Sequence, residues 1–81
     1  MAHVLFTAST KQYTGGEAEI ELEAKNVLQL FRKLGERYPA LKPLLEDGFA
    51  VVIDGEVFQD ALLEPIPAEA EVHLMPKIEG G

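Results

Sequence analysis

The chain has 81 residues, 47% of them hydrophobic and 26% charged, with a formal net charge of -7. This length fits one domain with a modest core, and the composition is that of a folded protein rather than a disordered one. Seven basic against fourteen acidic residues argue against nucleic-acid binding through phosphate contacts. Cysteine is absent, which excludes disulfides, a catalytic thiolate and cysteine-ligated metals.

No apolar run approaches the ~20 residues of a membrane span, and the amino-terminal residues do not resemble a secretory signal. We therefore expect a cytoplasmic protein without a membrane partner. Its acidic surface favours steering toward a basic protein partner.

The first third of the chain predicts two strands. Residues 3–7 form a short apolar run, and a turn follows at residues 14–16, where two glycines lie together. Residues 17–23 then alternate between glutamate and apolar side chains, which predicts a half-buried antiparallel strand. Its core side would consist of Ala18, Ile20 and Leu22, and its glutamates would form a solvated face.

A helix is predicted next. Asn26 is a favourable N-cap residue, and the apolar residues that follow recur every three or four positions, which places one apolar stripe on a helix of roughly three turns. Pro39 ends this helix, because the residue before a proline is pushed out of the helical region. The stripe consists of Val27, Leu30, Phe31, Leu34 and Tyr38.

The second half predicts three strands. Residues 40–47 contain Pro43 and are expected to form a connector with at most one short helical turn, which Gly48 interrupts. Residues 49–53 are apolar on both faces, and Asp54-Gly55 is a strong hairpin signal leading into residues 56–58. Asp54 is therefore a turn former rather than an acid–base group. After a loop over 60–70, residues 71–75 form the last strand, which stops at Pro76.

This order of elements predicts an α+β fold: a mixed sheet of about five strands with one main helix packed across one face. We expect one domain over residues 1–76 and a flexible carboxyl-terminal tail over residues 77–81. If Val72 and Leu74 face the helix, His73 and Met75 lie on the opposite sheet face beside Ala50 and Val52. That face is a candidate docking patch, unless loops cover it.

Few residues offer chemistry of their own. His3 and His73 lack partners at metal-ligand spacing, and no nucleophile–base pattern or phosphate loop is present. We expect no metal and no tightly bound cofactor. The distinctive group is the terminal carboxylate, which follows Gly80-Gly81 and has no neighbouring side chain to block a narrow channel. Such a carboxylate must be activated, for example as an acyl-adenylate. Terminal glycines are also common in frayed or linker segments.

The sequence resembles the ubiquitin-like sulfur carrier family, and within it the small subunit of molybdopterin synthase and its relatives. The similarity covers essentially the whole chain. It rests on the order of elements and on the segments Thr14-Gly15-Gly16, Asn26-Val27, Tyr38-Pro39, Val52-Ile53-Asp54-Gly55-Glu56 and Met75-Pro76-Lys77-Ile78-Glu79-Gly80-Gly81.

The resemblance implies a β-grasp fold and a carrier that is not catalytic alone. An ATP-using, ubiquitin-activating-like enzyme would adenylate Gly81, with Gly80 as its motif partner, and sulfur would be installed as a thiocarboxylate. The tail would then enter the large subunit of a molybdopterin synthase-type complex and deliver the sulfur for molybdenum cofactor biosynthesis. The partner-binding residues would be Met75, Pro76, Lys77, Ile78, Glu79, His73 and Val52.

Two departures leave the pathway open. The molybdopterin subunit usually has two prolines and a valine before its diglycine, where this chain has Pro76-Lys77-Ile78-Glu79. A Leu-Arg pair usual in its first loop is absent from Ser9-Thr10-Lys11-Gln12. Sulfur carriers for cysteine, thiamine or tRNA thiolation share the same end. A protein-conjugating ubiquitin-like modifier and a small interaction domain with an irrelevant tail are further alternatives.

Overall fold

The computed structural model describes residues 1–47, 49–59 and 61–76. No helix in these ranges has the length and apolar character needed to cross a membrane. The elements are β1 (Ala2–Phe6), α1 (Ala8–Lys11), β2 (Glu19–Leu22), α2 (Val27–Arg37), a 3₁₀ turn (Pro39–Leu41), α3 (Lys42–Asp47), β3 (Phe49–Ile53), β4 (Glu56–Phe58) and β5 (Glu71–Pro76).

The five strands form one mixed sheet in the order β2-β1-β5-β3-β4. The central strands β1 and β5 are parallel, and the remaining pairs are antiparallel. Because β5 lies between the first and third strands, the last strand of the chain is held on both sides. The structure confirms the predicted α+β class and the β-grasp arrangement.

The core lies between the sheet and α2. Alternate residues of β1 and β5 point toward the helix and are buried, as expected from the period of two in a strand. Burial of one such side chain contributes roughly 1.5–3 kcal/mol. The residues with 0% exposure are Val4, Leu30, Leu34, Leu41, Val72 and Leu74.

The start of α2 is capped as predicted. The Oδ1 atom of Asn26 accepts a hydrogen bond from the backbone N–H of Gln29 at 2.9 Å, and the Gln29 side chain accepts one from the N–H of Lys25 at 2.9 Å. The loop before β5 satisfies two more helix amides, since the N–H of Leu28 donates to the carbonyl of Leu62 at 2.8 Å and that of Val27 to Glu64 at 3.1 Å. This loop is therefore fixed against the helix.

Tyr38 closes the other end of α2. Its ring meets Phe6 of β1 edge-on, with ring centroids 5.7 Å apart, and its hydroxyl donates to the Glu17 carboxylate at 2.8 Å. Burial raises the pKa of the Tyr38 hydroxyl. These contacts join the helix end to β1 and to the segment before β2.

Three local features differ from the sequence prediction. The segment 8–11 is a short helix, and 42–47 is a regular helix rather than a connector, because Pro43 stands in its first turn, where no intrahelical N–H bond is required. The second strand begins at Glu19, not residue 17, and Ala18 is exposed instead of contributing to the core.

Candidate docking surface and carboxyl-terminal site

The sheet face opposite α2, here called the outer face, collects the side chains that alternate with the core residues. Strand pairing places them in rows across the sheet. In the central row, His73 of β5 has Leu5 of β1 on one side and Val52 of β3 on the other. The outer face consists of His3, Leu5, Glu19, Glu21, Ala50, Val52, Val57, Glu71, His73 and Met75.

One half of the outer face is apolar. Met75 pairs with Ala50, and Val52 pairs with Val57 of the edge strand β4. Val57 is 57% exposed and His73 is also exposed, whereas Val52 and Met75 are half-buried. Ala50 is only 1% exposed, so the accessible part of this half consists of the other four residues. The structure thus places His73, Met75, Ala50 and Val52 together as the sequence predicted.

The other half is acidic and contains two histidine–glutamate pairs. Nε2 of His3 lies 3.1 Å from Oε2 of Glu19, and Nε2 of His73 lies 2.7 Å from Oε1 of Glu71. All four side chains are well exposed to solvent, and exposed pairs of this kind contribute little to stability, typically 0–1 kcal/mol. The pair on β5 places a glutamate side chain next to the apolar half, because His73 lies opposite Val52.

The tail begins at the end of β5. Strand pairing holds Pro76 opposite Phe49 of β3, so the point from which the tail starts is fixed in the sheet. The predicted docking residues Lys77, Ile78 and Glu79, and the predicted reactive pair Gly80-Gly81, lie outside the described residues. Five further residues have a contour length of about 17 Å at ~3.3 Å each.

The described part of the chain contains no group of three histidine, aspartate or glutamate side chains arranged to hold a metal ion. It does contain a groove between α2 and α3, with a volume of about 410 Å³, which the sequence prediction missed. The groove depends on α3 packing against α2, and the only local signal for α3 was a proline that is compatible with either a connector or a first helical turn.

A comparison with protein families decides the assignment. The ThiS family matches residues 4–81, which span the sheet, the helices and the terminal diglycine. The chain belongs to the ThiS family. This confirms the resemblance to the ubiquitin-like sulfur carriers. No curated protein gives a significant match to the chain.

Solved structures share the fold of this ThiS-family chain at low identity. The Amycolatopsis orientalis BexX/CysO complex contains a chain with a TM-score of 0.80 and 20% identity, with 100% of both chains covered. Small archaeal modifier protein 1 (SAMP1) of Methanosarcina acetivorans has a TM-score of 0.80 and 21% identity, covering 99% of this chain and 95% of that one.

A third structure is the complex of subunits 1 and 2 of the molybdopterin-converting factor of Helicobacter pylori. Its matching chain has a TM-score of 0.67 and 22% identity, with 99% of this chain and 97% of that chain covered. These likenesses establish the shared fold. The Amycolatopsis orientalis and Helicobacter pylori structures are complexes with a second protein, whereas the Methanosarcina acetivorans protein is described as a modifier.

Proposed function

We propose that this ThiS-family chain is a sulfur carrier for molybdopterin biosynthesis and that Gly81 is its reactive residue. The observation that supports the carrier function and Gly81 is the family match through residue 81, on a chain whose last strand lies at the centre of the sheet and leads into the tail. The choice of pathway is supported by the structural likeness to subunit 1 of the molybdopterin-converting factor. The carrier has no thiol of its own, since it lacks cysteine, and the terminal carboxylate takes that role.

The chemistry proceeds in two steps on an adenylating enzyme. A Gly81 carboxylate oxygen attacks the α-phosphorus of ATP, a new oxygen–phosphorus bond forms, and pyrophosphate leaves. Hydrosulfide then attacks the acyl carbon of the adenylate, AMP leaves with the original carboxylate oxygen, and a thiocarboxylate remains. The absence of side chains at Gly80 and Gly81 lets the tail lie extended in a narrow channel. The adenylating enzyme, not the carrier, uses the ATP. We propose that the reaction takes place in the cytoplasm, where ATP is available.

The outer face is the proposed docking surface. Met75 and His73 lie one and three residues before Pro76 on the strand that continues into the tail, and Val52 adjoins them on β3. A partner that covers the apolar half therefore also receives the tail. The neighbouring glutamates favour partners with a basic rim. We propose two such partners in sequence: the adenylating enzyme and the large subunit of a molybdopterin synthase-type complex.

Reconstitution tests the carrier function. The purified chain is incubated with ATP, magnesium, hydrosulfide and the adenylating enzyme of the same organism, and its intact mass is measured. We expect the mass increase of one oxygen-to-sulfur exchange, located at Gly81 by fragmentation. An unchanged mass after confirmed adenylation activity would contradict the proposal.

A second candidate is a protein modifier, which the structural likeness to small archaeal modifier protein 1 favours. Conjugates of the chain to lysines of cellular proteins, with Gly81 in an isopeptide bond, would support that function.

The pathway is tested separately by co-purification from the native organism. Recovery of a pterin-synthase large subunit supports the molybdopterin pathway. Recovery of a cysteine-forming enzyme supports a sulfur carrier for cysteine synthesis instead.

A further inference from the structure

The groove between α2 and α3 lies on the helical side of the molecule, away from the outer face. Its apolar lining comes from both helices and from the loop before β5, and consists of Leu28, Phe31, Leu45 and Leu62. At Gly35, α3 comes close to α2: a Cβ atom there would lie 3.6 Å from Cγ of Lys42. The docking surface proposed above does not use this groove.

Four exposed charges surround this apolar lining, namely Arg32 and Glu36 on α2 and Lys42 and Glu46 on α3. None of them forms an ion pair with another residue in the described ranges. In each helix the cation precedes the anion by four residues, which is the weaker order for an intrahelical pair. The four side chains of the rim carry no net charge, although the whole chain carries -7. Each of them is available for an ion pair with a binding partner.

Two exposed leucines of the loop before β5 lie beside the groove. Leu63 is 78% exposed and Leu62 is 45% exposed. Leu62 lines both the groove and the adjoining depression formed by residues 61–65, so the two features form one continuous surface. The backbone of this loop is fixed by its hydrogen bonds to the start of α2, which lowers the cost of ordering it on binding.

We propose that this surface binds a second copy of the chain in a two-fold symmetric dimer. A two-fold interface brings the same patch of both copies together and must be self-complementary. This patch is self-complementary in shape, because each copy has an apolar groove with an exposed Leu63 beside it. It is also self-complementary in charge, because each rim carries two cations and two anions, and the proposed dimer pairs the cations of one rim with the anions of the other.

The distribution of charge favours self-association through the groove over self-association through other surfaces of the chain. Two copies that each carry a net charge of -7 repel one another in general, whereas the groove rim carries equal numbers of positive and negative groups. The groove lies on the helical side of the sheet, so a dimer formed through it leaves both outer faces uncovered. The dimer therefore presents two independent carriers, each able to engage its own partner.

A charge-exchange experiment tests the dimer. One variant carries Arg32→Glu and Lys42→Glu, and a second carries Glu36→Lys and Glu46→Lys. By sedimentation equilibrium, the wild type is expected to reach twice the 8.9 kDa chain mass as concentration rises, whereas each variant alone remains a monomer. An equimolar mixture of the two variants is expected to recover the dimer mass. All four positions are exposed, so folding should be retained.

Controls separate the interface from general charge effects. Lys11→Glu with Lys25→Glu changes the net charge as much as the first variant but lies outside the groove, and it should leave dimerisation unchanged at moderate salt. Leu63→Glu should abolish it. A wild type that stays monomeric up to about 1 mM, the weak end of the affinity scale, would overturn the proposal. So would a mixture of the exchanged variants that remains monomeric.

Discussion

The two sides of β5 differ in what covers them, although they belong to one strand. Val72 and Leu74 point toward α2 and are 0% exposed. His73 and Met75, which alternate with them, point outward and remain accessible beside Val52. One strand therefore packs into the core with one set of side chains and carries the proposed docking surface with the other. Mutations on the two sides should separate stability from partner binding.

The largest effect is expected at the tail, where neither side of the sheet is involved. Deletion of Gly81 moves the terminal carboxylate back by ~3.3 Å, and misplacement of a reacting group by about 1 Å already costs roughly 10²-fold in rate. We expect sulfur loading, followed by intact mass, to fall at least about 100-fold while the free energy of unfolding stays within about 0.5 kcal/mol. Loading at the wild-type rate would show that Gly81 is not the reactive residue.

The next largest effect is expected on the inner side of β5. Leu74→Ala removes a fully buried side chain and should lower the free energy of unfolding by about 2–5 kcal/mol, because the cavity is not refilled. Its matched control is Met75→Ala on the outer side, for which we expect a change of about 0.5 kcal/mol. Urea unfolding measures both. Equal losses for the two variants would contradict the division of the strand.

On the outer side the expected effect is on binding. Met75→Glu places a charge in the apolar half of the outer face and should weaken binding to the adenylating enzyme about tenfold, or ~1.4 kcal/mol, as measured by calorimetry. Leu63→Glu makes the same type of change on the helical side and should leave this affinity intact. Unchanged binding by Met75→Glu, or weakened binding by Leu63→Glu, would place the docking surface elsewhere.

The smallest effect is expected at the start of α2. Asn26→Ala removes the side-chain acceptor for the Gln29 amide and should cost about 1 kcal/mol of stability. Asn26→Asp keeps an acceptor and should retain most of it. Thermal unfolding detects this difference, and partner affinity should be the same for both variants. A cost of the same size for Asn26→Asp would show that the cap is not the cause.

Short sequence patterns were sufficient to predict most elements of the fold. The alternation in β2 predicted its solvated glutamates, although Ala18 is exposed rather than in the core, and the assumed inward facing of Val72 and Leu74 in β5 is confirmed. Asn26 marked the helix start. Asp54-Gly55 marked the hairpin, where both residues take positive φ values of 48° and 89°, as a type I′ turn requires. Ala50, Val52, His73 and Met75 of the outer face were predicted from the alternation of side chains in β3 and β5, whereas the contribution of His3 and Leu5 from β1 was not.

The features that were missed depend on packing between separate elements or on very short elements. The helix α1 has four residues, too few for a helical period to show. The helix α3 is stabilised against α2 near Gly35, and its own sequence, with Pro43, does not distinguish it from a connector. The groove formed by these two helices was therefore also beyond prediction from sequence.

We propose that the outer side of β5 docks the partner while the inner side maintains the fold. An amide chemical-shift map of the isotope-labelled chain titrated with the adenylating enzyme tests it most directly. We expect the perturbations to centre on Val52, His73 and Met75 and to continue into residues 77–81, with α2 unaffected. Perturbations centred on α2 and α3, with β5 unchanged, would contradict the account.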